Sequence, residues 1–300
     1  MTDGIKIIPR RDASIYIDGR RYSGEIDIKR RSNDAIVAIN IVDLERYIKG
    51  VLYHEVSHRW PIETLKAQAV AARTYALYRM QVNKDADYDV TSDIYSQVYG
   101  GKSSERYRTN IAVNRTKDLV MTYNGKILPA YYHATCGGMT ENAGALWEHA
   151  IPPLRGVRCP FCRQSPHFQW KKNFRLKDIQ DKLNARGYDI GLIKTIEVIE
   201  RNPSGRITTL RITARDGKTI TIAGKDFRDI IGPNIIKSNN YEVVMQGYYM
   251  DLLGKGWGHG VGMCQWGAYF MAQQRYRYDA ILQYYYPGMA ITDYHRLNLD

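Results

Sequence analysis

The sequence predicts an α+β fold: mixed β-strands around one buried, alanine-rich helix, with an inserted segment that binds zinc. Three observations predict it. Short alternating or β-branched runs recur at residues 14–41 and again at 195–222. Alanines stand at helical spacing between Ile62 and Leu77, which lets a helix pack closely on all its neighbours. Residues 136–170 lack apolar periodicity and hold three of the four cysteines.

In chain order, Ser14–Asp18, Gly24–Lys29 and Ala35–Ile41 read as strands, with Asp18-Gly19 as a turn signal. Asp43 is an N-cap for a helix whose face is Leu44, Tyr47, Ile48, Val51, Leu52 and Glu55. Pro61 opens a second helix that runs to about Met80, with Ile62, Leu65, Ala69, Ala72, Ala76 and Leu77 on one face. A loop follows from Asp89 to Lys102. Residues 175–187 form an amphipathic helix. Strands at Thr195–Ile199, Ile207–Thr213 and Thr219–Ile222 precede a short helix, Phe227–Ile231. A glycine-rich stretch, 254–267, leads into a helix over Ala268–Gln274. No repeat or linker divides the chain, so the expectation is one elaborated domain over residues 14–292, including the zinc segment 133–170.

A net charge of +12 fits an anionic partner, but the basic residues are dispersed and no nucleic-acid motif accompanies them. The 24 tyrosines, against 5 Phe and 5 Trp, suit either walls that meet sugars or a core habitually filled with Tyr. The first residues lack the apolar region of a signal peptide, and no apolar stretch reaches membrane-spanning length.

Glu55 is the candidate catalytic residue. It lies on the apolar face in the last turn of its helix, where desolvation and the negative end of the helix dipole both favour the protonated acid. Such an acid can protonate a leaving glycosidic oxygen. The same residues, His54-Glu55-Val56-Ser57-His58, match the H-E-x-x-H pattern of zinc peptidases. Pro61, three residues after His58, argues that the helix ends too early for that geometry.

Cys159-Pro160-Phe161-Cys162 is a C-x-x-C knuckle, and Cys136 lies upstream beside His133. Three thiols and one imidazole make a closed, structural Zn2+ site, with His133 as fourth ligand and His167 as its substitute. Cys264 stands apart and reads as a small buried residue. The stretch Gly254 to Ala268 fits neither a dinucleotide loop nor a P-loop. Its glycines allow close backbone approach. The candidate substrate contacts are Gln97, Tyr132, His259 and Gln265.

Several long motifs carry a resemblance. They are Tyr47 to Val56, Trp60 to Ala76, Ser96 to Gly101, His133 to Gly138 with Thr140 to Ala143, Gly256 to Ala268, and Tyr284 to Gly288. Over residues 14–292 the chain resembles the SpoIID/LytB family. The resemblance implies a lytic transglycosylase acting on peptidoglycan glycan strands, with the family's catalytic glutamate at Glu55 and 1,6-anhydro sugar as product. It implies a place in the cell envelope, a leader or anchor being absent from this chain; a monomer is the expected state. It also implies working alongside other wall hydrolases such as amidases. Relatives described as amidase enhancers make a non-catalytic wall binder the alternative, and a zinc peptidase using His54, Glu55 and His58 is the other. His54 and His58 depart from what the family commonly carries.

Overall fold

In the computed structural model, residues 4–10, 13–31, 33, 35–93, 96–147 and 150–297 are described. The fold is mixed α and β, with seven α-helices and several small sheets among the described residues. The span read from the sequence as one domain is built as two compact units. Unit 1 is 1–131, 272–283 and 288–300; unit 2 is 132–271 and 284–287.

Unit 1 opens with β1 (Gly4–Ile7), β2 (Ile15–Ile17), β3 (Arg20–Tyr22), β4 (Glu25–Arg30) and β5 (Ile36–Ile41). β1, β4 and β5 form an antiparallel sheet, so the first strand lies outside the expected domain start. β2 and β3 pair across Asp18 and Gly19, both at positive φ (48° and 71°). A two-residue turn of this hand matches the strand twist.

Next come α1 (Leu44–Glu55) and α2 (Ile62–Val82). Asp43 caps α1, its carboxylate accepting from the Arg46 amide at 3.1 Å. α1 buries Tyr47, Ile48, Val51 and Leu52 and stops at Glu55, because Val56 is extended (φ −143°, ψ 151°). α2 is covered nearly all round between Thr64 and Leu77 rather than on one stripe; Ala67, Ala69, Ala71 and Ala72 are fully buried. Small side chains permit that enclosure.

Arg73 is buried at the centre of α2. Its Nε and Nη2 donate to Glu45 Oε1 and Oε2 at 2.6 and 2.8 Å, and Nη1 donates to the Leu119 carbonyl at 3.0 Å. This bidentate pair ties α1 and α2 to β6 (Leu119–Tyr123), which follows α3 (Tyr107–Arg115) and precedes β7 (Lys126–Ile127).

Unit 2 holds β8 (Tyr132–His133), β9 (Gln169–Arg175), α4 (Leu176–Asn184), β10 (Ile193–Arg201), β11 (Ile207–Ala214), β12 (Thr219–Ala223), α5 (Gly224–Ile231), β13 (Tyr241–Gln246), β14 (Tyr249–Lys255) and β15 (Met263–Cys264). Two antiparallel three-stranded sheets, β10-β11-β12 and β13-β14-β9, share one apolar core with α4 and α5; Leu183, Leu210, Ile212, Phe227 and Leu252 are at its centre. β8 and β15 pair in parallel, setting Cys264 opposite His133. α6 (Gln265–Gln273) follows. α7 (Tyr278–Tyr285) and β16 (Ala290–Asp293) complete the chain's elements, β16 pairing with β6.

The tyrosines divide between core and surface. Tyr47, Tyr99, Tyr241, Tyr285 and Tyr286 are core residues, whereas Tyr16, Tyr107 and Tyr248 are exposed. No helix of the described residues is long and apolar enough to cross a membrane.

Candidate functional site

In unit 1, Glu55 is half-buried and is the last residue of α1. Its neighbours include two phenols. The hydroxyls of Tyr47 and Tyr75 are held above the usual tyrosine range, by burial first and by the charge of Glu55 in addition. Tyr47 packs on Tyr99 with ring centroids 5.0 Å apart, and Tyr75 packs on Tyr131 at 5.9 Å. The carboxyl therefore ends a helix within electrostatic reach of two phenols that stay neutral.

Gln97 corrects the sequence reading. It is 1% exposed; its Oε1 accepts from Tyr47 Oη and its Nε2 donates to the Ala72 carbonyl, both at 3.2 Å. Both ends of the amide are engaged inside the protein. Gln97 thereby links Tyr47 to α2 and has little surface open to a ligand.

The H-E-x-x-H match does not become a metal centre. α1 ends at Glu55, so His58 falls outside the helix that must carry both imidazoles. His54 Nε2 is 2.6 Å from Ser104 Oγ. Burial, Arg20 and Arg106 all hold the His54 imidazole below its usual range. The backbone after the helix is pinned by Arg108, whose Nε and Nη2 donate to the carbonyls of His58 and Trp60.

In unit 2, the sulfurs of Cys136, Cys159, Cys162 and Cys264 lie within 4.8 Å of one another, all fully buried. Among the described residues this is the one such group of three or more Cys, His, Asp or Glu. The group that could hold a metal thus takes Cys264 as its fourth member, where the sequence reading had His133 or His167. His133 Nδ1 faces the Val261 carbonyl at 3.1 Å, and the His167 ring packs on Trp257 at 4.6 Å. The parallel pairing of β8 with β15 is what carries Cys264 to the other three.

The donor set fits Zn2+. Four thiolates at about 2.3 Å from a tetrahedral ion stand about 3.8 Å apart, and Cys136 Sγ to Cys162 Sγ is 3.4 Å. Backbone donors also point at the sulfurs. Backbone amides of Cys136 and Gly267 donate to Cys264 Sγ at 3.3 Å, and that of Gly138 to Cys136 Sγ at 3.4 Å. Tyr285 Oη lies 3.2 Å from Cys159 Sγ. The Cys159 thiol is pushed far down by its three sulfur neighbours, while burial pushes those of Cys136 and Cys264 up. At Gly267, a Cβ would lie 2.9 Å from Cys159 Sγ and collide with Tyr285 Oη, so only glycine leaves the centre its room.

The other predicted contacts gather in the same unit. His259 is half-buried; its Nε2 donates to the Tyr132 carbonyl at 2.9 Å and its Nδ1 accepts from the Val261 amide at 3.1 Å. Burial is the main reason its imidazole is pushed down to about 4, with Arg206 and Arg228 adding. Its ring lies 5.6 Å from that of His133 and 5.3 Å from that of Trp147. Tyr132 is half-buried beside it. Gln265 is 7% exposed as the first residue of α6, which leaves it little surface for a ligand.

Sequence reasoning missed Arg206. It is 3% exposed, donating through Nη2 to the Cys136 carbonyl at 2.9 Å and through Nη1 to Ser204 Oγ and the Met139 carbonyl. Gly260 packs directly on its guanidinium. Glu141 completes the frame, accepting from Asn202 Nδ2 and Ser204 Oγ. Nothing in the spacing of Arg206 marks it, because two of its partners are backbone carbonyls about 70 residues away.

A family model described as "Stage II sporulation protein" matches residues 32–123, which include Glu55 and Gln97, and a model described as a domain of unknown function matches 161–262. An uncharacterized protein of Brachyspira hyodysenteriae is 38% identical over 269 residues, covering 89% of this chain and 72% of its own length. Stage II sporulation protein D of Bacillus subtilis is 32% identical over 283 residues, 89% of this chain and 79% of the relative. A protein named amidase enhancer, from the same organism, is 30% identical over 330 residues, 93% of this chain and 45% of the relative. The chain belongs to the stage II sporulation protein D family.

Proposed function

We propose that the protein is a lytic transglycosylase that cuts peptidoglycan glycan strands, with Glu55 as its one acid and base. The observation that supports it is the setting of Glu55: a half-buried carboxyl ending α1 beside the buried phenols of Tyr47 and Tyr75. In its acid form Glu55 gives its proton to the glycosidic oxygen, and the bond from that oxygen to the anomeric carbon breaks. The resulting carboxylate then takes the proton of the same sugar's 6-hydroxyl. That oxygen closes on the anomeric carbon and leaves a 1,6-anhydro end. The proton given in the first step is regained in the second. No water and no second catalytic carboxylate enter, unlike ordinary glycoside hydrolysis.

Cys136, Cys159, Cys162 and Cys264 would hold Zn2+, which would supply folding stability rather than chemistry. Work in the cell envelope, as a monomer acting on glycan strands alongside amidases, belongs to the same proposal. The similarity to an amidase enhancer supports a second reading, a wall binder that cuts nothing. Digestion of purified glycan strands separates the two. Anhydro ends found by mass spectrometry with the native chain, and lost with Glu55→Gln, are expected. Intact strands with both chains would overturn the enzyme reading in favour of the binder.

A further inference from the structure

We propose that unit 2 carries a separate sugar subsite, a cleft that takes an N-acetylated sugar bearing a carboxylate. It rests on the reading above only for the identity of the strand. The cleft measures about 300 Å³, at the small end for ligand sites and roomy enough for one sugar ring. It lies where the start of α4, the turn after β11 and the β13–β14 hairpin meet. Backbone bonds fix that meeting: the Leu176 amide donates to the Tyr248 carbonyl at 3.0 Å and the Arg215 amide to the Leu192 carbonyl at 2.7 Å.

Arg175, Lys177 and Arg215 line the cleft, and no Asp or Glu does. Lys177 is paired with Asp181, whereas Arg175 has no ion-pair partner among the described residues. The Arg215 guanidinium sits 4.6 Å from the centroid of the Tyr248 ring, and its Nη1 lies 3.5 Å from that hydroxyl. One face of Tyr248 is thereby used to hold the cation in place. Tyr248, Leu192 and Tyr249 are 65%, 54% and 46% exposed, so a ligand in the cleft can reach their rings and side chain.

Cations and tyrosine faces together select the ligand. An arginine pairs a carboxylate in two-pronged fashion, a phenol face stacks on a sugar ring, and Leu192 receives an N-acetyl methyl. In a glycan strand stripped of peptide, every muramic residue presents that combination. A phosphodiester polymer would use the cations but leave the tyrosines and the leucine without a role, so the carboxylated sugar is the better fit.

The test is a nuclear magnetic resonance titration of the Glu55→Gln chain, which holds strands uncut. The probe is a peptide-stripped tetrasaccharide of alternating N-acetylglucosamine and N-acetylmuramic acid. Expected are shifts at Arg175, Leu192, Arg215 and Tyr249. Arg175→Ala with Arg215→Ala should raise Kd at least tenfold, as should Tyr249→Ala alone. Uncharged chitotetraose should bind at least tenfold more weakly. The inference is overturned if the double variant stays within twofold, if chitotetraose binds as well, or if polyglycerol phosphate shifts these residues and the tetrasaccharide does not. Strand cutting by the native chain without cleft binding overturns this inference alone, and cleft binding without cutting overturns the transglycosylase reading alone.

Discussion

The backbone amide of Cys136 donates to the sulfur of Cys264 at 3.3 Å, across 128 residues of chain. This contact makes Cys264 a partner of the knuckle rather than a filler of the core. We expect Cys264→Ala to lose bound zinc as fully as Cys159→Ala. His133→Ala and His167→Ala should keep one equivalent. Metal analysis of the four purified variants checks it, and zinc retained in Cys264→Ala would return the fourth position to a histidine.

Removing the metal should cost stability before it costs chemistry. Chelation of the native protein is expected to lower Tm markedly, since a structural zinc contributes folding energy directly. Gly267→Ala should lower Tm as well, because its methyl meets Cys159 Sγ and Tyr285 Oη. A Tm unmoved by both would show that the sulfurs need no ion.

For Glu55→Gln, strand cleavage should fall by about 10²–10⁴-fold, the usual worth of a positioned proton donor. Its Tm should stay nearly unchanged, within the range of changes outside the core. Gln97→Ala should behave differently. It strands the buried hydroxyl of Tyr47, so a loss of about 1–3 kcal/mol in stability is expected, read by denaturant unfolding.

Arg73→Ala should be the most damaging of the polar changes. It leaves Glu45 charged and unpaired at the joint of α1, α2 and β6, a loss on the order of 3–5 kcal/mol. Denaturant unfolding against Arg73→Lys, which cannot form the two-pronged pair, measures how much geometry adds to charge.

His259 gives the stability a pH dependence with a definite sign. Its folded-state imidazole is pushed down to about 4, below the 6.5 of an unfolded chain, and Arg206 and Arg228 oppose its protonation. The neighbouring His133 is shifted the same way by burial and by His259. The unfolded chain therefore binds more protons through that window. Stability contributed by the neutral ring is complete above about 6.5 and is lost as pH falls toward 4. Tm measured from pH 7 to 4 should decline, and His259→Gln should flatten the decline. An equal slope in both chains would assign the acid sensitivity elsewhere.

Much of unit 1 was legible in the sequence. Asp43 as cap, the apolar stripe from Leu44 to Glu55, Pro61 before α2 and the Asp18-Gly19 turn are local signals, read within a few residues of where they act. The helix expected over residues 175–187 is α4, shortened at both ends. The pairing of Cys159 with Cys162 was also local, because a C-x-x-C knuckle is a spacing. The burial of Gln97 was not legible for the opposite reason: its motif marks it, but whether an amide faces solvent or core depends on what packs over it.

By itself, the sequence determined the elements whose causes are near neighbours: caps, turns, helix faces, the knuckle and the placement of a glutamate at a helix end. Tertiary structure alone decided that Cys264 joins Cys136, that Arg73 finds Glu45, and that residues 14–292 form two compact units. Each of these depends on a partner far along the chain, chosen by how strands pair and cores fill. No spacing within a short window records that choice.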